Sequence, residues 1–196
     1  MKKSTIILLA VLGFFVLGGF WAVGKYNGII TSEEGVQSQW AKVESSYQRR
    51  ADLIPNLVNT VKGYADFEKS TLTEVTKARA SATQTTIDPS NLSPENIQKF
   101  QAAQDGLSSS LSRLLVTIEK YPDLKANQNF LELQSQLEGT ENRINVERNR
   151  FNDAAKGYNT MIRKFPTNFI ASIGGFEKIG YFEASAGAEN APTVQF

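Results

Sequence analysis

Seven charged residues form the one cluster in this sequence with the chemistry to build a site. Arg49, Arg50 and Asp52 lie beside Pro55, and Glu141, Arg143, Glu147 and Arg148 lie on a second stretch with helical spacing. Glu147 is the informative member, because it stands where a seven-residue apolar repeat demands an apolar side chain. A carboxylate on that face is buried, and a buried carboxylate needs a cationic partner, for which the planar fork of arginine is best suited. The favoured reading is an internal ion-pair network that fixes how two helices meet. The alternative is a pair of carboxylates acting as acid and base, or holding a cation. Histidine and cysteine are absent, which removes the commonest general base, the commonest metal ligand and the most reactive nucleophile. With no glycine-rich phosphate loop and no Gly-x-Ser-x-Gly turn, no catalytic residue, metal site or cofactor is expected. A second hint lies in Thr193-Val194-Gln195-Phe196, where Val194 and Phe196 could add as a strand to a PDZ-type partner.

The element that must carry the Glu147 group is a long helix expected from about Asn127 to Phe165. Phe130, Leu137, Ile144, Phe151, Tyr158 and Phe165 recur every seven residues, with Leu133, Thr140, Ala154 and Met161 three further on. That is the seam of a helix bundle, with coiled-coil character. Upstream, Thr31-Ser32-Glu33-Glu34 reads as a capping box opening a helix whose apolar stripe is Val36, Trp40, Val43, Tyr47, Ala51 and Ile54. The stripe continues through Leu57, Val61, Tyr64, Leu72, Val75 and Ala78. Pro55 interrupts it, so the chain must kink or reverse between Ala51 and Asn56, and the unbroken period favours a kink. After a polar loop over Thr83 to Ser93, Ser93-Pro94-Glu95 opens a helix carrying Ile97, Phe100, Gln104, Leu107, Leu111, Leu114, Ile118 and Tyr121. The single turn Pro122–Lys125 should return it antiparallel into the long helix. Beyond Pro166, an apolar arm with Phe169, Ile170, Ile173, Phe176, Ile179, Tyr181 and Phe182 is expected to fold back on the bundle; the alternative is docking on a neighbouring subunit or the membrane surface. Residues 184–196 are small and polar and read as a disordered tail.

A different kind of segment precedes the bundle. Twenty-one residues without charge separate Lys3 from Lys25, and residues 6–23 are almost wholly apolar. As a helix they reach about 27 Å, close to a ~30 Å hydrocarbon core, so residues 1–26 read as a transmembrane anchor contacting the bilayer through 6–23. A cleaved signal peptide, with Ala22 and Gly24 before the cut, is the alternative; its apolar core is usually shorter, and Trp21 and Tyr26 suit an interface. Lys2 and Lys3 precede the span, while Lys25, Glu33 and Glu34 follow it. This bias places the N-terminus in the cytoplasm and the domain outside it. Outside residues 1–24 the chain carries 19 basic and 20 acidic residues, interleaved, so no nucleic-acid partner is expected.

The run Gln48-Arg49-Arg50-Ala51-Asp52-Leu53-Ile54-Pro55-Asn56-Leu57-Val58, with Val61-Lys62-Gly63-Tyr64, resembles a signature of the LemA family. Tyr121-Pro122-Asp123-Leu124-Lys125-Ala126-Asn127, Phe130-Leu131 and Glu138-Gly139-Thr140-Glu141-Asn142-Arg143-Ile144 resemble its second signature. Asn152, Tyr158-Asn159, Phe165-Pro166 and Tyr181-Phe182 extend the similarity, which covers about Asn27 to Glu183. The resemblance implies a bacterial protein with one N-terminal membrane helix and an all-α bundle of about four helices, and it brings no mechanism. The expected architecture is therefore all-α: a single span, an antiparallel up-and-down bundle over 27–183 whose first pair is one kinked helix or two, and a tail. The expected function is a non-enzymatic, self-associating scaffold of the bacterial inner membrane. The alternative is an accessory or regulatory subunit of an envelope enzyme such as a membrane protease.

Overall fold

The computed structural model describes residues 3–63 and 68–184. Among them the chain is helical and without strands: α1 Lys3–Lys62, α2 Lys69–Gln84, α3 Pro94–Ile118, α4 Pro122–Lys125, α5 Gln128–Arg163 and α6 Thr167–Gly174. Val194 and Phe196 lie outside the described residues.

The first finding is the length of α1. It runs for 60 residues, so the apolar segment and the first bundle helix are one element. The helix start expected at Thr31-Ser32-Glu33-Glu34 is not there. A cap residue needs non-helical backbone and free amides beyond it, and here the preceding turns already supply partners. Thr31 instead turns its hydroxyl back to donate to the Asn27 carbonyl, 2.9 Å away. The N-terminal portion is long and apolar enough to cross a membrane, and none of it is buried in the protein.

The second finding concerns Pro55, which lies inside α1 without ending it. Proline has no amide hydrogen, so the Ala51 carbonyl four residues back loses its helical donor. Arg79 of α2 replaces it, donating from Nε to the Ala51 oxygen at 2.7 Å. The orphaned acceptor is thus satisfied from a neighbouring helix, and the helix continues. The reversal comes later, between Lys62 and Lys69. The single kinked helix expected through Ala78 is therefore two helices, α1 and α2.

The remaining boundaries follow local chemistry. The Ser93 side chain accepts from the Asn96 amide at the start of α3, and Asn127 accepts from the Phe130 amide at the start of α5. Numbering rises along α1 as it falls along α5, since Trp40 meets Phe151 and Arg50 meets Glu141. The same test makes α2 antiparallel to α3, through Glu74 with Arg113 and Ala82 with Gln104. The backbones lie closest in the pairs α1 with α5 and α2 with α3.

The core divides in two. One cluster gathers Trp40, Tyr47, Phe100, Phe151, Tyr158 and Phe182 with Ile29 and Val36; the other gathers Ile54, Leu57, Val61, Val75, Leu107, Leu114, Ile118 and Phe130. The seven-residue seam of α5 holds from Phe130 to Tyr158 and then slips, with Ala155 and Ile162 buried and Phe165 exposed. A straight helix has 3.6 residues per turn and drifts off a 3.5 repeat by about 20° per heptad.

After α6 the chain turns at Gly175, whose φ of 71° is the left-handed conformation glycine adopts without strain. It then runs back along the bundle. Asn159 donates to the Ile179 carbonyl and accepts from its amide, while Asn152 does the same for Phe182. Gly180 donates to the Leu92 carbonyl at 2.9 Å, and a Cβ at Gly180 would stand 2.7 Å from the Pro94 Cα. Close backbone approach therefore requires glycine there.

Candidate functional site

The structure splits the seven charged residues: Arg50 joins Glu141, Glu147 joins Arg143, and Arg49, Asp52 and Arg148 stand apart from both pairs. Arg50 is 2% exposed and sits between Tyr47 and Ile54, where the two cores meet. Its guanidinium donates to Ser108 Oγ at 2.8 Å, Glu141 Oε2 at 2.9 Å, Gln104 Oε1 at 2.8 Å and the Gln104 carbonyl at 3.2 Å. It also lies 5.0 Å from the Tyr47 ring centroid. Gln104 in turn donates to the Ala82 carbonyl at 3.2 Å. One arginine on α1 thereby engages α3 and α5 directly and α2 through Gln104.

Glu147 occupies a second site nearer the apolar end of α1, and it is 1% exposed. Gln39 Nε2 donates to its Oε2 at 2.7 Å, Arg150 Nη1 donates to its Oε1 at 3.0 Å, and Arg143 Nε lies 3.2 Å from the same oxygen. Burial pushes this carboxyl up, but the Gln39 hydrogen bond and the two guanidinium charges together hold it below the ordinary carboxylate value. It is therefore ionised and fully engaged at neutral pH. Such a group is neither a proton donor near pH 7 nor free to hold a cation.

The remaining members stand apart. Arg148 donates to the Glu183 carbonyl and stacks over Phe182, tying α5 to the returning arm. Asp52 is exposed and accepts from Gln48 within α1. Arg49 is exposed and lines a groove of about 550 Å³ between α1 and α5, with Lys42, Ser45, Gly139 and Arg143. Glu141 and Glu147 are each held by a different arginine set, so the two carboxylates do not form an acid–base pair. Among the described residues no cluster of three or more acidic side chains could hold a metal.

Four participants escaped the reading of the sequence: Gln39, Gln104, Ser108 and Arg150. Gln104 carried a signal, since it interrupts an apolar stripe between Phe100 and Leu107. The other three look like ordinary surface residues, and their role depends on which helix lies opposite. Among the described residues, Trp40 Nε1, Arg50 Nε and the Tyr158 hydroxyl are buried without a hydrogen-bond partner, and burial, with Glu33 and Glu177 adding to it, pushes the Tyr158 pKa up to about 12.

Residues 39–196 match the family model described as LemA family. The protein LemA of Metamycoplasma hominis is 26% identical over 187 residues, covering 94% of this chain and 80% of that protein. Magnetosome protein MamQ 1 of Paramagnetospirillum magneticum is 27% identical over 176 residues, covering 81% of this chain. The chain spans 65% of the length of that magnetosome relative. With a helical bundle that joins an apolar N-terminal helix and a match over most of its length, the chain belongs to the LemA family.

Proposed function

We propose that this protein is a non-enzymatic scaffold anchored in the bacterial inner membrane by residues 6–23, with its bundle outside the cytoplasm, and that it binds protein partners, copies of itself among them. The observation that carries this reading is the continuity of α1, which passes from the apolar segment into the packed core without a break. A domain on such a helix is held in a fixed orientation relative to its span, which suits a scaffold. Anchoring also confines copies to two dimensions, which raises their effective concentration. The polar networks add support, because their charges are spent on joining helices.

Extraction in mild detergent followed by light scattering tests the self-association. An oligomer is the expected result, and a monodisperse monomer overturns it. Co-purification with a specific hydrolase would instead favour the accessory-subunit reading. For orientation, the chain has no cysteine, so Val116→Cys on the exposed face of α3 provides a single label site. Labelling by an impermeant maleimide on intact cells, with an outer-membrane permeability control, is expected. Labelling only after lysis would place the bundle in the cytoplasm.

A further inference from the structure

One end of the bundle carries an apolar face that no described part of the chain covers. Because α5 runs antiparallel to α1, its C-terminal turn arrives where α1 leaves the apolar segment, and Ile162 shares a core with Ile29. Helix α6 crosses this end. Thr167 and Ala171 point inward and are buried, and Phe176 just beyond packs on Tyr26 with ring centroids 5.4 Å apart. Tyr26 lies three residues past Val23, the last residue of the apolar run, a rise of about 4.5 Å. The polar layer on each side of a bilayer's hydrocarbon core is about 5–8 Å deep. With residues 6–23 taken as the span, the C-terminal end of α6, next to Tyr26, stands at the depth of the headgroups.

Its outward side is apolar. Phe169 is 60% exposed and Ile173 90%, and their spacing of four puts them along one edge of α6, while Phe165, just before the helix, is 79% exposed. The Phe165 and Phe169 rings meet at 5.9 Å, so the edge is continuous rather than scattered. Arg163 and Lys164 immediately precede Phe165, Lys25 and Lys178 adjoin the Tyr26–Phe176 contact in sequence, and all four are exposed, while Glu33 and Glu177 are acids at the same end, both acting on Tyr158. An apolar edge rimmed by cations, at headgroup depth, has the composition of an interfacial helix.

We propose that the Phe165, Phe169 and Ile173 edge inserts into the interfacial layer of the bilayer that α1 spans, so that the bundle is seated on the membrane at two points. The second contact fixes rotation about the α1 axis, which a single span leaves free. The surrounding cations meet anionic headgroups. This rests on reading residues 6–23 as a span.

The test uses the full chain in phosphatidylethanolamine and phosphatidylglycerol vesicles, with a single environment-sensitive fluorophore on Ile173→Cys, Phe169→Cys, Val116→Cys or Leu17→Cys. Lipids spin-labelled near the headgroup should quench the probes at 173 and 169 several-fold more than the probe at 116, and aqueous iodide should show the reverse order. Probes at 173 and 169 that behave like the one at 116 overturn the proposal. If they are shielded from iodide but unquenched by lipid, and their self-quenching falls on dilution with unlabelled protein, a second copy covers the edge and the proposal is equally wrong. The probe at 17 separates the failures. Quenching there by deep-labelled lipid, without quenching at 173, removes only the α6 contact; no quenching at 17 removes the span itself.

Discussion

The two halves of the core are built on different principles. Nearest the apolar segment, the packing is aromatic: Trp40 contacts Phe100 at 5.0 Å, Phe151 at 5.6 Å and Phe182 at 6.0 Å, the last nearly parallel at 11°. Beyond Arg50, the core is aliphatic apart from Phe130. The aromatic half also holds a segment with no secondary structure of its own, residues 176–183, through directional hydrogen bonds to Asn152 and Asn159. The aliphatic half holds only helices. An irregular strand cannot satisfy its own backbone groups, so the half that accepts it must offer shaped rings and fixed amides. Helices need only complementary volume.

The difference can be broken most directly at Trp40. Trp40→Ala should cost about 3–5 kcal/mol and accelerate hydrogen exchange at the Ile179 and Phe182 amides, because the surface under Phe182 is lost. Leu114→Ala in the aliphatic half should cost about 2–5 kcal/mol while leaving those amides as protected as before. Denaturant unfolding and exchange on the full chain in detergent read both effects; equal loss of protection in the two variants would erase the distinction.

The layer between the halves is tested next. Arg50→Ala leaves Gln104, Ser108 and Glu141 without their shared donor, and should cost about 3 kcal/mol. Arg79→Ala should cost about 1–3 kcal/mol, since it leaves the buried Ala51 carbonyl unpaired. In a Pro55→Ala background the same substitution should cost clearly less, because residue 55 then supplies the helical amide. An unchanged cost would refute the compensation.

The smallest effect is expected at Glu147. Its carboxyl is held below the ordinary value in the folded state, so its contribution to stability is complete above the unfolded value of about 4.3 and is lost as pH falls through the lower folded one. Glu147→Gln should lower stability at pH 7 by about 1 kcal/mol and flatten the acid limb of the stability profile. Parallel acid limbs for the two proteins would contradict the pairing.

Much of the fold was legible beforehand because it depends on local rules. The stripes of α1 and α3, the Ser93 cap, the start of α5 near Asn127 and the buried position of Glu147 follow from helical period and capping chemistry read directly from residue types. The polar network was only partly legible. Arg50 and Glu141 were named in the charged cluster and Glu147 was visible as a charge out of place, but Gln39, Ser108 and Arg150 acquire their roles from partners on other helices or from the helix face that packing selects. The signals misread were those for boundaries. Thr31 to Glu34 has the residues of a cap but lies within a helix already under way, and the apolar period that runs on to Ala78 does not mark the break between α1 and α2 after Lys62.

The amino-acid sequence by itself determined the helices, their apolar faces and the segment able to cross a membrane, because each depends on neighbours within a few turns. Only the tertiary structure decided what would satisfy the Ala51 carbonyl opposite Pro55 and that the chain would reverse after Lys62. The physical reason is that the missing donor comes from a residue 28 positions away, and a hydrogen bond of that kind exists only once the helices have packed.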